Sequence, residues 1–584
     1  MPRAQGTGLV AAGLVCSIPF LNPLHGLPIP TFYEEWLAFA LGLAGVLVVG
    51  VASPGAGRFP RVALWLVAFA PVLVLQWALR LTAYRETVEL GVLYVLWAAL
   101  LVWLGAQLRE RCGAERTARV LAGFIVAGAL ANGAVALLQA ATGTGGLGAL
   151  LAAPGGGRVY GLTGQANLLA NHLALGLAAL LYLLVTGAMR VRTAAAFGLA
   201  LVTALAFTGS RTAWLLVAWL VACGLLGRST GGRAALHGAA AIGASLVVLQ
   251  LVFHATGGVG FATRDGSALG RLADEVAQGH QPVGGIAARL FVWRVALDIF
   301  ATAPLLGVGV GEFAWAYFNA HPPEHFALLG SYQRHAHNLV LQLLAETGLA
   351  GAVPITLGLL GWLVRVAKAQ VAQWHPATWL ALAVVGIEST HSVIEFPLWH
   401  AQFPGVAALF LGVGERRAVA LRSALAARWM PALLGLAGLS LAAGAMWWHL
   451  QLRTWVYALP DAALAEPGVR ERQRDVLRRA GATLLRPYAE LPIAAAIEPR
   501  RSHVTAQLAL NGRTLRFAPI GPVVYRQVTL LALAGERERA AALLERALVL
   551  HPGLRGEYAR ALAPLAAVEP AALGWVLERV RQRP

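Results

Sequence analysis

Arg334–Gly351 reads RHAHNLVLQLLAETGLAG, a basic, hydrogen-bonding cluster that runs without a break into an apolar helix. The join puts imidazoles at a membrane surface beside the positive end of a helix dipole. Arg334, His335, His337 and Asn338 crowd into one short stretch, and ionisable groups so near hydrocarbon are costly and usually mark function. Two readings stand: Asn338 simply caps the first helical turn, or the cluster is a working site.

Working outward, the chain has 584 residues, 58% hydrophobic and 13% charged. The charged share is about half the roughly 25% of soluble domains, and apolar runs near 20 residues recur, so the expected class is a multi-span helical membrane protein. A net charge of +18 would suggest nucleic acid in a soluble protein. Here the arginines fall in short loops and in the tail, where topology and anionic lipids explain them, and no nucleic-acid partner is expected. Cys16, Cys112 and Cys223 lie far apart in or beside apolar runs and offer neither a metal pattern nor a disulfide framework. Arg3 before an apolar run resembles a signal peptide, but no small-x-small site precedes a soluble domain, so a retained first helix is expected.

Apolar segments near 8–21, 36–52, 62–79, 88–106, 118–141, 168–188, 194–208, 212–227, 234–254, 338–364, 377–394, 400–414 and 431–450 predict about 13 spans. Arginine and lysine concentrate in alternate loops, from Arg58 and Arg61 to Arg416 and Arg417, while the opposite short loops hold only Arg80, Arg85, Arg158 and Arg211. The positive-inside rule then puts the N-terminus in the cytoplasm. The other face, periplasmic in a Gram-negative host, receives Asn22–Glu35, Gly143–Asn167, Thr208–Arg211, Ala255–His337, the turn His391–His400 and the tail. The expected domains are N-terminal spans (1–254), a long outer segment with interfacial helices (255–337), C-terminal spans (338–450) and a helical tail (451–584). Leu530–Pro552 has the spacing of a tetratricopeptide-like hairpin, and an ordinary helical hairpin fits as well.

Nearly every unusual polar residue falls on the outer face. Thr208-Gly209-Ser210-Arg211-Thr212 is a turn too short to be solvated, so Arg211 is either a snorkelling anchor or a functional cation. Tyr160–His172 carries Gln165, Asn167, Asn171 and His172 into a span. Amides there suit sugar hydroxyls, because each donates and accepts, and they equally suit interhelical bonds; Gln165 and Asn167 rank ahead of the deeper pair. The outer segment holds Arg289 and Arg294 on a helical stretch, then a Gly-rich turn, Pro304–Phe313, that lets backbone approach a ligand closely. His335, His337, His391 and His400 make a poor metal set, since His-x-His does not present two ligands on one helix; no metal and no cofactor is expected.

His337-Asn338, nine residues, then Gly348-x-x-Gly351 resembles the signature of the O-antigen ligase superfamily. That group comprises lipopolysaccharide O-antigen ligases, O-antigen polymerases and pilin-type bacterial O-oligosaccharyltransferases. The Ser210-Arg211 turn resembles a matching turn there. Arg289-x-x-x-Trp293 followed by Pro304-Leu305-x-Gly307-x-Gly309 resembles the stretch whose arginine helps hold the lipid-linked pyrophosphate, with Arg289 the best match. Gly161-x-x-Gly164-Gln165-x-Asn167 and Glu395-Phe396-Pro397-Leu398 resemble the pilin-type members specifically. The likeness spans about residues 10 to 415 in four motifs, and the tail resembles those members' C-terminal extension.

The resemblance implies an all-α polytopic membrane protein, GT-C-like, with an α-helical periplasmic C-terminal domain, in the bacterial inner membrane. It implies metal-independent, inverting transfer of a glycan from undecaprenyl diphosphate to Ser/Thr hydroxyls of periplasmic or pilin proteins. His337 would act as base, with Arg211 and Arg289 neutralising the departing diphosphate. His335, Asn338, Gln165, Asn167, Glu395, His391 and Arg294 would bind donor or acceptor. A ligase using lipid A-core as acceptor and a polymerase are the rivals inside the superfamily. A lipid-linked oligosaccharide flippase or other transporter is the rival outside it, and the one-sided polar cluster counts against transport.

Overall fold

The computed structural model describes residues 2–52, 58–143, 157–259, 262–263, 268–270, 286–322, 332–420, 424–460 and 466–582. Parts of the expected outer loops, 144–156, 271–285 and 323–331 among them, lie outside the described residues. Among the described residues helix dominates, and strands are confined to two short antiparallel ribbons, Arg58–Pro60 with Ala418–Ala420 and Gly258–Val259 with Ala262–Thr263. The chain is an all-α polytopic membrane protein.

Eight described helices are long and apolar enough to cross a membrane: Phe32–Ala52, Arg61–Ala78, Arg85–Cys112, Ala114–Thr142, Ala166–Val185, Arg233–Thr256, Leu339–Ala372 and the stretch Trp429–Tyr457. The other expected spans are helices too, but shorter, among them Val191–Phe207, Thr212–Leu226, Pro376–Ser392 and Gln402–Gly414. At about 1.5 Å per residue such helices fall short of a hydrocarbon core of about 30 Å. Of the about 13 expected spans, eight are thus long helices and the others are shorter helices.

Two compact units divide the chain. The first holds Met1–Phe69, Tyr94–Gly279 and Val353–Gly444. Its innermost helix is Ala166–Val185, buried along nearly its whole length, which explains why that helix is apolar all round rather than on one stripe. Small residues let helices touch backbone to backbone: a β-carbon at Gly412 would lie 2.0 Å from the carbonyl oxygen of Val102. At one end the arginine-bearing loops expected on a single side meet. Arg58–Pro60 pairs with Ala418–Ala420, Arg109 donates to the Glu415 carbonyl, and Arg365 reaches the Glu415 carboxylate at 3.1 Å.

The second unit holds Ala70–Leu93, His280–Ala352 and Ala445–Pro584. The helix Ile286–Thr302 turns a stripe of Ala288, Val292, Val295, Ala296 and Ile299 into a core that also contains Ala336, Tyr317, Val524, Leu544 and Leu573. The outer segment and the tail thus share one hydrophobic core. The tail is built of successive helical pairs. Gly521–Leu533 and Arg537–Leu550 turn at Gly535, whose φ of 83° suits glycine, and Tyr525 bridges them by donating to the carbonyls of Ala547 and His551.

Glu490, on Arg486–Ala496, ties this unit together. It accepts from Arg486 Nε at 2.8 Å and Tyr84 Oη at 2.7 Å, and takes both forks of Arg513 at 3.0 Å. Burial pushes its carboxyl up, but these donors outweigh burial and hold it below the ordinary carboxylate range. Its contribution to stability is therefore full above that range and is lost as pH falls through the lowered pKa. Glu490→Gln is expected to cost about 1–3 kcal/mol and to flatten the acid limb of the unfolding curve, read by tryptophan fluorescence in detergent.

Candidate functional site

In the second unit the polar cluster is built as a helix start. Asn338 Oδ1 accepts from the N–H of Leu341 at 3.1 Å, and the Asn338 carbonyl accepts from Gln342 N–H at 2.9 Å. Gln342 Oε1 reaches back to the N–H of Ala336 at 2.7 Å, satisfying a donor just outside the helix in the manner of a capping box. Between these two bonds sits His337 with φ of 52°. A β-carbon makes that left-handed conformation cost about 1–2 kcal/mol. The cap reading of Asn338 holds, and its effect is to hold His337 in a conformation that few non-glycine residues adopt.

Eleven residues after His337, the Leu339–Ala372 helix breaks at Gly348, where φ is 59° and ψ is −162°, a region open essentially to glycine alone. The Pro304–Gly311 turn crosses here. Its carbonyls at Pro304 and Leu305 accept from Leu349 and Ala350 at 2.9 and 3.0 Å, and its Val308 and Gly309 N–H groups donate to Ala345 and Glu346 at 3.0 Å. A β-carbon at Gly307 would stand 2.3 Å from the Glu346 carbonyl carbon, and one at Gly348 would stand 2.4 Å from that of Leu305. The close approach expected of this turn is therefore to the chain's own backbone.

Three side chains complete the crossing, none of them singled out from the sequence. Gln76 donates to the carbonyls of Leu306 (2.6 Å) and Glu346 (2.7 Å) and accepts from Val310 N–H (3.1 Å). Glu346 accepts from the N–H groups of Gly311 and Phe313. Glu312 pairs with Arg516 at 2.8 Å and accepts from Ala83 N–H; burial pushes its carboxyl up, opposed by Arg516. Arg289 borders the buried stripe of its helix and is half-buried, while Arg294 lies on the opposite side, exposed. Ala288 and Ala336, the neighbours of Arg289 and His337, are buried in the same core.

In the first unit, the loop before Ala166–Val185 is held by two amides from the Ala114–Thr142 helix. Gln139 accepts from the N–H groups of Tyr160 and Gly161 and donates to the Gly161 carbonyl; Asn132 accepts from Leu162 N–H at 2.8 Å. His25 Nε2 lies 2.9 Å from the Leu162 carbonyl. Asn167 then spends most of its capacity on the protein. Its Oδ1 accepts from Ser210 Oγ (2.8 Å) and Arg158 Nη2 (3.1 Å), and its Nδ2 donates to Glu395 Oε1 (2.8 Å). Arg158 Nε also donates to the Thr208 carbonyl at 2.8 Å. The turn that carries half-buried Arg211 is thus braced from both sides.

The deeper pair takes the interhelical reading. Asn171 Nδ2 lies 3.0 Å from Glu388 Oε2 and 2.7 Å from His391 Nδ1, and Asn132 lies 3.2 Å from His172 Nδ1. His391 is fully buried, and Glu395 is buried and committed to Asn167. Gln165, half-buried, is different: its side chain makes no hydrogen bond among the described residues. Thr212–Leu226 begins directly after Arg211, and its Trp214, Val217, Val221 and Leu225 line an apolar groove with Gly243 and Val247 of Arg233–Thr256.

Two family models match the chain. One, described as O-antigen ligase, covers residues 194–356 and includes Arg211, Arg289, Arg294, His335, His337 and Asn338. The other, described as virulence factor membrane-bound polymerase, C-terminal, covers residues 379–564 and includes His391 and Glu395. No curated protein matches the chain. The two matches support the O-antigen ligase superfamily, and with it a glycosyltransferase-type enzyme acting on a lipid-linked glycan.

The crossing of Gly307 and Gly348 leaves no room for a methyl group. Gly348→Ala or Gly307→Ala is expected to destabilise the fold by on the order of 3 kcal/mol and to lower the yield of monodisperse protein in detergent chromatography, whereas Gly444→Ala, with nothing within 4 Å of the added carbon, leaves it unchanged.

Proposed function

We propose that the protein is an O-linked oligosaccharyltransferase that moves a glycan from undecaprenyl diphosphate to Ser/Thr hydroxyls of periplasmic or pilin proteins. The observation that carries the reading is the left-handed conformation of His337. Strain of this kind persists where surrounding structure enforces it and clusters at working sites. The donor side rests on Arg211 heading a helix whose next turns line an apolar groove, the chemistry of a lipid with an anionic head and a hydrocarbon tail.

In this mechanism His337, as neutral imidazole, takes the proton of the acceptor hydroxyl. The oxygen attacks the anomeric carbon, its bond to the diphosphate breaks, and the centre inverts. Arg211 and Arg289 balance charge on the departing diphosphate. Because diphosphate is already a good leaving group, the step runs without a metal. Gln165, with its amide uncommitted, is the better candidate for sugar hydroxyls, and Asn167 and Glu395 hold the Arg211 turn. The active face and tail are periplasmic, with the N-terminus in the cytoplasm of an inner-membrane protein.

A second reading has its own observation: the family model over residues 379–564 is described as a polymerase, which would make another lipid-linked glycan the acceptor. A ligase would instead use lipid A-core.

His337→Asn separates chemistry from folding, because asparagine tolerates the left-handed region. The variant is expected to accumulate in the membrane as the wild type does and to transfer no glycan from purified lipid-linked donor; wild-type activity would reject the role. Arg211→Ala and Arg289→Ala are each expected to lower turnover by about 10²–10³-fold. Mass spectrometry of periplasmic and pilin proteins with and without the gene decides the acceptor: loss of glycopeptides supports the protein reading, and loss of long-chain lipopolysaccharide alone supports the ligase.

A further inference from the structure

The Pro467–Ala480 helix, PGVRERQRDVLRRA, carries Arg470, Arg472, Arg474, Arg478 and Arg479 against Glu471 and Asp475. Val476 and Ala480 are its buried residues. At the helical period, Arg470, Arg474 and Arg478 form a stripe on the opposite side, all three exposed. Asp475 gathers Arg478 at 2.8 Å, Arg479 at 3.0 Å and Arg472 at 3.9 Å, and one carboxylate does not neutralise three guanidiniums.

A charged helix face is ordinarily just solvated. This one is pinned to the end of a membrane span. Arg472 Nη2 donates to Gln451 Oε1 at 3.3 Å, and its guanidinium lies 5.8 Å from the ring centroid of Trp455. From the next helix, the Tyr488 carbonyl accepts from Tyr457 Oη at 2.7 Å. Gln451, Trp455 and Tyr457 close the apolar stretch Trp429–Tyr457. Tryptophan and tyrosine at a span's end sit at headgroup level, and Trp447, more than half exposed, lies just inside them. The tether therefore holds a helix whose five arginines outnumber its two carboxylates where lipid phosphates are.

We propose that the Arg470–Arg474–Arg478 stripe binds the phosphates of anionic lipid headgroups in the leaflet where the Trp429–Tyr457 span ends. Guanidinium forks match phosphate oxygens two at a time, and a basic segment directly beside a span gains most from a negative membrane surface. The helix then works as a foot that sets the tail against the headgroup layer.

The test uses the full chain in nanodiscs. Gly468, where an added side chain meets nothing within 4 Å, is changed to Cys and labelled with a fluorophore; the same labelling of the unaltered chain supplies the background. Quenching by headgroup spin-labelled lipid is read in phosphatidylcholine discs with and without phosphatidylglycerol. Quenching is expected to rise severalfold with phosphatidylglycerol, to lose that rise in R470Q/R474Q/R478Q and to keep it in the triple lysine variant. Quenching that ignores lipid charge, or a rise that survives in the triple glutamine variant, overturns the proposal. Inorganic phosphate is compared with chloride at equal ionic strength: equal effects support a headgroup surface, and specific displacement by phosphate means a free-phosphate site and overturns it.

Discussion

The second unit depends on two backbones passing where neither can carry a side chain. Gly348 opens the Leu339–Ala372 helix, and Gly307 lets the Pro304–Gly311 turn fill the opening. An irregular backbone inside an apolar helix survives only if every freed N–H and C=O finds a partner. Leu349 and Ala350 find the carbonyls of Pro304 and Leu305, and Gln76 and Glu346 satisfy what the turn itself leaves over. The short helical piece between Asn338 and Gly348 is thereby fixed at both ends, by a cap and by a crossing. That is how a left-handed His337 is held without a rigid element of its own.

The first unit solves the same problem with side-chain amides. Gln139 and Asn132 stand in for missing backbone partners along Tyr160–Leu162, and Asn167 joins the Arg211 turn to Glu395. These polar residues are spent on holding irregular chain, and Asn171 and His172 on joining helices. A polar residue in a membrane segment is then weak evidence for ligand binding until its partners are counted. By that count Gln165 and Asn167, two positions apart and alike in the sequence, fall into different classes.

Much of this was legible beforehand. Apolar runs place the helices because burying them needs no particular partner, and His337-Asn338 ahead of an apolar run reads as a helix start from local rules alone. Gln76, Gln139, Asn132 and Glu388 escaped notice for one reason: each acts on a segment far away in the chain, and nothing local marks an amide or carboxylate in an apolar helix as a clamp. The glycines of Pro304–Gly311 signal a close approach, and Gly307 makes it to the backbone of Glu346, a partner that no local pattern names. Apolar composition reports burial in protein as readily as burial in lipid, as the enclosed Ala166–Val185 helix illustrates.

The tail looks in sequence like an appendage after the last span, yet its core is continuous with that of the outer segment. Val524, Leu544 and Leu573 share it with Val292, Tyr317 and Ala336. Charge reinforces the join: Arg516, from the tail, pairs with Glu312 at the end of the glycine-rich turn and also donates to the Leu81 carbonyl at 2.7 Å. Glu312 is buried, so removing Arg516 would leave a carboxylate without its counter-ion, a loss larger than that of a surface pair. The Pro304–Glu312 turn and the helix start at Ala336 are therefore positioned as much by the tail as by the span they lead into, which makes the tail a part of the body that carries His337.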